Sequence, residues 1–319
     1  MKLRSAFCVV AMILLAATPA AAQQFPTKPI RFIVAFPPGG SVDLHARYVA
    51  AKMAENLGQP VVIENRPGGN THVGAEVVVR AAPDGYTLFH TLDSTITLNQ
   101  ALYAKIPFDP IKDFTPVARL ASGNSIIVVH PSVPAKNIRE LIEYAKANPG
   151  KLNFGATAAT TQLTGEQLKT LGAAMVHVPY KGTAQMVPAV TSGEIHLVID
   201  GHTNYVPFVK EGKLRALALT SPGRDALLPD VQNVREQGYP EMERLGWWAL
   251  FGPANMPVAV VARLNSAAMW TLKQPDFLEK QAALGLTPRP GSAEELGAQV
   301  KADIARWTPI IKAAGIKLD

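Results

Sequence analysis

Residues 30–57 read IRFIVAFPPGGSVDLHARYVAAKMAENL, and no other stretch of the chain restricts the fold as much. A β-branched, apolar run (Ile30, Phe32, Ile33, Val34, Ala35, Phe36) stops at Pro37-Pro38-Gly39-Gly40, and a helical pattern begins near Ser41 or Asp43. Val42, Ala46, Val49, Met53 and Leu57 recur at intervals of three or four, so they share one face that buries against a sheet, and Gly58 ends the helix. The unit is therefore a strand, a tight loop and a helix. The first turn of such a helix has backbone N–H groups without intrahelical partners and a partial positive charge, which favour an anion. Paired glycines let a ligand approach that backbone. The same residues also fit a plain strand-to-helix turn in which Ser41 or Asp43 caps the helix, and the stretch alone leaves both open.

The pattern repeats downstream. Residues 60–64 (PVVIE) read as a strand, 73–81 (VGAEVVVRA) as a helix and 86–90 (YTLFH) as a strand, with Gly, Pro and Asn between them. Strands alternating with helices predict an α/β fold with a parallel, doubly wound sheet. In such sheets ligands bind outside the carboxyl ends of the strands, where residues 37–43 fall. The rule also points to residues 91–99 (TLDSTITLN), expected as a loop. Its hydroxyls are placed to meet a polar ligand and Leu92 or Ile96 to cover an apolar part, or it is a plain connection.

A second alternating series runs from strand 152–154 through loop 155–161 (GATAATT), helix 163–171, strand 175–178, helix 184–190, strand 195–199, a helix near 206–210 and strand 214–219. It makes a lobe of its own. Residues 125–145 and 248–269 echo each other, each an apolar strand, a loop with two prolines and an apolar-periodic helix, and are expected where the chain passes between lobes. Residues 267–319 read as helical and as packing back on the first lobe. The expected division is a signal peptide over 1–22, a first lobe over 23–124 and 246–319, and a second lobe over 125–245. Two crossings make a hinge possible.

The N-terminus, MKLRSAFCVVAMILLAATPAAAQQ, has a basic start, an apolar middle and small residues at Ala20, Ala21 and Ala22, the pattern of a secretory signal peptide cleaved before Gln23. Its apolar run is shorter than the roughly 20 residues that span a bilayer. Cys8, the only cysteine, lies early in that run, so the mature chain is expected to have no cysteine, disulfide or lipid anchor. Loss of Lys2 and Arg4 takes the formal charge from +6 to +4, dispersed without a Lys/Arg run, which argues against a nucleic-acid groove. The mature chain is long enough for two cores, since single cores stop growing near ~250 to 300 residues.

Chemistry-bearing motifs are sparse. No G-x-S-x-G elbow, P-loop, G-x-G-x-x-G fingerprint, H-E-x-x-H or C-x-x-C occurs, so an enzyme is unsupported, although triads are recognised by geometry and not by order. His45, His72, His90, His130, His177, His196 and His202 show no metal-ligand spacing and read as structural or surface residues; no metal or cofactor is expected. Trp247 and Trp248 offer a stacking ring or core filling. Asp93, Glu166 and Asp200 are the acidic residues in or beside candidate ligand loops, and Asp200, ending an apolar strand, faces the cleft or caps the next helix. The loop 155–161 repeats the logic of Gly39-Gly40, and Tyr180-Lys181-Gly182-Thr183 projects to the same edge. Two facing, donor-rich loops suit a carboxylate, which only accepts hydrogen bonds when ionised.

Several segments match a known pattern in order: KPIRFIV (28–34), FPPGGSVD (36–43) with Ala46-Arg47, VIENRPGG (62–69) and GAEVVVRAAPDGYTL (74–88), then HVPYKG (177–182), LPDVQNVREQGYP (228–240), and a tryptophan followed by PANMP and LNSA. Across essentially the whole mature chain it resembles the Bug-type (Bordetella uptake gene) periplasmic solute-binding proteins of tripartite tricarboxylate transporters. The resemblance implies a periplasmic binding protein (Venus flytrap) fold of two doubly wound lobes joined by crossing strands. It also implies a monomeric receptor without chemistry or cofactor, which closes on a small carboxylate solute in the periplasm and delivers it to inner-membrane transporter subunits. In that family main-chain groups and ordered water at the first strand-helix loop hold a ligand carboxylate, and second-lobe loops grip the rest. Carried over by position, this marks Phe36, Pro38, Gly40 and Asp43; Ser94 and Thr97; Ala156, Thr157, Thr160 and Thr161; and, further, Tyr180, Lys181, Gly182 and Asp200. Asp43 is assigned to bracing its loop or capping the helix, since it would repel an anion.

The chain departs from the family pattern at Ser41 and Val42, at Ala159-Thr160-Thr161-Gln162 and over 92–97, so the distal half of the ligand stays open among dicarboxylate, citrate-like tricarboxylate, aromatic acid and amino acid. Two rival readings are a sensor presenting its closed form to a membrane kinase, and a periplasmic hydrolase or lyase using Glu166 or Asp200 as a base.

Overall fold

A computed structural model describes residues 25–180 and 182–318. The signal peptide with Cys8, and Lys181, lie outside the described residues. The strands, in chain order, are β1 (Ile30–Val34), β2 (Val61–Asn65), β3 (Thr87–Leu92), β4 (Phe114–Gly123), β5 (Ser125–Val129), β6 (Leu152–Ala156), β7 (Met175–Pro179), β8 (Leu197–Gly201), β9 (Arg215–Leu219), β10 (Gly246–Pro253) and β11 (Leu286–Gly291). They form a six-stranded sheet of order β11-β4-β10-β3-β1-β2 and a five-stranded sheet of order β7-β6-β8-β5-β9.

Each sheet is parallel on one side and antiparallel on the other. β1 pairs in parallel with β2 and β3, and β6 with β7 and β8, as strand-helix alternation requires. The remainder is antiparallel: β10 lies between β3 and β4, β11 edges β4, and β5 lies between β8 and β9. β11, expected as turn within a helical tail, contains Pro288 and Pro290; it is an edge strand, where a missing N–H is tolerated.

Helices cover both faces of both sheets. The helix Ser41–Leu57 buries Val42, Ala46, Val49, Met53 and Leu57 against the first sheet, together with Leu264 and Ala268 from the helix Val258–Thr271. The opposite face carries Ala75, Val78, Trp247 and Val300. The second sheet likewise has one apolar cluster on each face.

The chain passes from the first sheet to the second through Asn124 alone, between β4 and β5, and returns between β9 and β10. There Arg244 N–H donates to Thr220 O at 2.7 Å, and His202 N–H donates to Asn124 O at 3.2 Å. Residues 91–99 are not a loop. β3 runs on to Leu92, and a short helix, Asp93–Thr97, follows with all five residues buried. Two threonine hydroxyls bond locally: Thr97 Oγ1 donates to Asp93 O at 2.9 Å, and Thr91 Oγ1, from β3, donates to Thr95 Oγ1 at 2.9 Å.

Candidate functional site

The carboxyl ends of β1 and β6 face each other across a cavity of about 280 Å³. Phe36, Pro37, Pro38, Gly40, Ser41 and Val42 line it from the first lobe, with Leu92, Asp93 and Trp248 beside them. Thr157, Ala158, Thr160, Thr161, Gly182, Thr183 and Asp200 line it from the second. Gly123, Asn124 and Gly246, at the two crossings, form its back.

Three helices begin at this cavity: Ser41–Leu57, Ala159–Thr170 and Thr183–Thr191. The residues before them are Gly40, Ala158 and Gly182, none of which caps its helix through a side chain. The N–H groups of each first turn, left without intrahelical partners, are thus available to whatever fills the space between the lobes. Among the described residues the wall carries no lysine or arginine. An anion here is met by main-chain dipoles and hydroxyls instead.

The first of these loops is braced from behind. Gly39 sits at φ +86°, a left-handed backbone that favours glycine, and its N–H donates to Asp43 Oδ2 at 2.9 Å. Asp43 is buried and also accepts from Arg47 Nε at 2.8 Å, Arg47 Nη2 at 3.0 Å and Asn65 Nδ2 at 2.8 Å. Asn65 Nδ2 in turn donates to Phe36 O at 3.0 Å, which secures the wall. Burial by itself would raise the Asp43 carboxyl, but the hydrogen bonds from Arg47, Gly39 and Asn65 outweigh it and hold the group below the ordinary aspartate range.

Two carboxylates reach the cavity wall. Asp93 accepts from Arg244 Nη2 at 2.6 Å, both groups being buried. Asp200, at the end of β8, accepts from Thr157 Oγ1 at 2.9 Å, Thr183 Oγ1 at 2.7 Å and Tyr205 OH at 3.1 Å. Burial pushes the Asp200 carboxyl up, and the hydroxyl and Gly201 backbone bonds oppose that rise.

Of the residues marked from the sequence, Phe36, Pro38, Gly40, Thr157, Thr160, Thr161, Gly182 and Asp200 line the cavity. Asp43 stands behind it as the brace. Ser94 and Thr97 are buried within the short helix, Ala156 is buried at the end of β6, and Tyr180 packs at the margin of the second-lobe core, so these four are not in the wall. Lys181 lies outside the described residues. Trp248 lines the cavity, whereas Trp247 packs on Phe251 and donates to Asp303 Oδ2 at 2.8 Å. Glu166 pairs with Lys169 at 2.7 Å, away from the wall. The crossing residues Gly123, Asn124 and Gly246 went unmarked. A Cβ on Gly123 would lie 2.8 Å from the Trp248 ring and 2.7 Å from Leu286, so a glycine ending a strand was the available signal.

Comparison with known proteins follows the same outline. The model of the tripartite tricarboxylate transporter family receptor matches residues 45–316. A UPF0065 protein of Bordetella pertussis (strain Tohama I) is 35% identical over 308 residues, which is 96% of this chain and 95% of that protein. Three solved structures superpose over nearly the whole chain. The periplasmic binding protein BugD is 31% identical with a TM-score of 0.85, covering 92% of this chain and 99% of its own. Rpa4515 of R. palustris, solved with adipate, is 33% identical with a TM-score of 0.85, over 92% and 99%. MatC from Rhodopseudomonas palustris, with bound malate, is 32% identical with a TM-score of 0.84, over 90% and 100%.

Proposed function

Because the chain belongs to the tripartite tricarboxylate transporter receptor family, we propose that it captures a small carboxylated organic acid in the periplasm and delivers it, as a monomer, to inner-membrane transporter subunits. One observation carries the choice of ligand. Three uncapped helix N-termini from two lobes meet at one cavity whose described wall has no cationic side chain. That surface offers N–H and O–H donors on several sides, which suits a group that only accepts. Rpa4515 holds adipate and MatC holds malate, in agreement with this reading.

The ligand touches both lobes only when they are together, so its binding favours the closed form. A hydrolytic or lyase role finds little support in the wall. Glu166 is paired outside it, and Asp200 is occupied by three hydroxyl donors.

A thermal-shift screen of residues 23–319 against aliphatic, aromatic and amino-bearing acids tests the proposal. An acid at about a hundred times its dissociation constant adds about 2.7 kcal/mol to folding stability, a visible shift of the midpoint. Stabilisation by cationic amines but by no acid would overturn it. So would the absence of any shift in protein shown by mass spectrometry to carry no acid through purification.

A further inference from the structure

The four threonines of the cavity wall are not equivalent as hydrogen-bonding groups. A hydroxyl has one proton to give and lone pairs to receive with. Thr157 Oγ1 gives its proton to Asp200 Oδ1 at 2.9 Å, and Thr183 Oγ1 gives its own to Asp200 Oδ2 at 2.7 Å. Tyr205 OH, buried beneath, donates to Oδ2 at 3.1 Å. Thr161 Oγ1 donates to Ala158 O at 3.0 Å. Thr160 alone of the four has a buried hydroxyl with no partner. The wall is thus divided. Around Thr160 a donor is free, whereas beside Asp200, whose oxygens are taken by these hydroxyls, the side chains of Thr157 and Thr183 have given their protons away and present only lone pairs.

We propose that the Asp200–Thr157–Thr183 patch selects acids bearing a hydrogen-bond donor, a hydroxyl or an ammonium, near the carboxylate. The proposal rests on the reading of the cavity as a carboxylate site. A second carboxylate placed against the side chains of this patch would set its oxygens against the lone pairs of Thr157 and Thr183 and its charge against Asp200, which is only 5% exposed. A bare methylene there would leave the Thr157 and Thr183 lone pairs desolvated and unpaired once the lobes close. A hydroxyl or ammonium satisfies them. Sites built to pair with a substrate O–H or N–H reject the analogue that lacks it far more strongly than apolar pockets reject a missing methylene.

Calorimetric titration of residues 23–319 with matched acids decides the matter: succinate, malate and aspartate; glutarate, 2-hydroxyglutarate and glutamate; phenylacetate, mandelate and phenylglycine. On the skeleton that binds, the hydroxyl or amino acid is expected to bind at least tenfold more tightly than the unsubstituted one, and which of the two is tighter distinguishes hydroxyl from ammonium. Equal or tighter binding of the unsubstituted acid overturns the inference and leaves the carboxylate site standing. Binding of no acid on any skeleton overturns both. The ratio of affinities is then followed in variants. D200N is expected to erase it; should that chain not fold, T183V is expected to lower it several-fold while T183S preserves it, and an unchanged ratio in T183V is a negative result.

Discussion

His45 Nδ1 lies 2.9 Å from His90 Nε2, with both rings fully buried between the helix Ser41–Leu57 and β3. One ring donates and the other accepts at this contact, and burial keeps both neutral. Burial drives both below the usual histidine range, His90 to about 3, and His90 further disfavours charge on His45 across the short contact.

The pair makes folding sensitive to mild acid. A histidine neutral when folded but free to charge when unfolded contributes stability that is complete above its unfolded value near 6.5. As pH falls below that value the unfolded chain takes up protons that the folded chain refuses, and stability drops by up to about 1.4 kcal/mol per pH unit for each extra proton. The loss continues toward the folded value, about 3 for His90. Melting midpoints measured from pH 7 to pH 4 should fall more steeply for the wild type than for H90Q. Parallel curves would show that the pair carries no such linkage.

A second prediction concerns Asp43, whose carboxylate joins Gly39, Arg47 and Asn65 while Asn65 holds Phe36 O. In D43A the part-buried, charge-assisted hydrogen bonds from Gly39 N–H and the Asn65 amide lose their acceptor, at about 1–3 kcal/mol of stability. The wall loosens with them. Denaturant titration should show a folded chain with a lowered midpoint, and calorimetry a weaker affinity for the acid found in the screen. Because the folded Asp43 value is depressed, its contribution is present above about pH 4 and is lost as pH falls through the folded value. The wild-type and D43A midpoints should therefore converge below pH 4.

How far these features were legible in the sequence depends on whether the residues in question keep a period. Val42 to Leu57 do, because a long helix on a sheet repeats every three or four residues, and the first lobe's parallel half follows from them. Asp93–Thr97 does not: five residues make little more than one turn, and its Ser and Thr residues read as loop although Thr97 Oγ1 bonds back to Asp93 O inside the helix. β11 was hidden by Pro288 and Pro290, tolerable only because the strand is at an edge, which no local pattern announces. In the site, the Gly-rich loops were visible because glycine and small residues are local signals. Asn124 and Gly246 were not, because they reach the cavity only through the two crossings.

Arg244 illustrates the same point and carries a prediction of its own. It ends the returning crossing, two residues before β10, and its guanidinium meets Asp93 at 2.6 Å while lying 4.8 Å from the Trp307 ring centroid. Removing one partner of a buried pair leaves an uncompensated charge, at about 3–5 kcal/mol. R244M should therefore lower the midpoint strongly. The double variant with D93N should recover much of the loss in denaturant titration, since the unpaired charge goes with it. No recovery would assign the loss to packing on Trp307 alone.

The lobes also meet outside the cavity. Leu163, on the second-lobe helix Ala159–Thr170, is 1% exposed and packs in one cluster with Leu98, Leu102, Trp307 and Ile311 of the first lobe. On the proposed reading, in which the lobes part and close about the cavity, parting them returns this apolar surface to water, and the contact then favours the closed form before any ligand arrives. L163S weakens that preference without touching a residue of the cavity wall. The apparent dissociation constant scales inversely with the closed fraction, so affinity should fall in proportion as that fraction falls. Small-angle scattering of ligand-free protein should show L163S more extended than the wild type, with the two converging when saturated by the bound acid. Identical ligand-free profiles would mean that Leu163 does not bias closure.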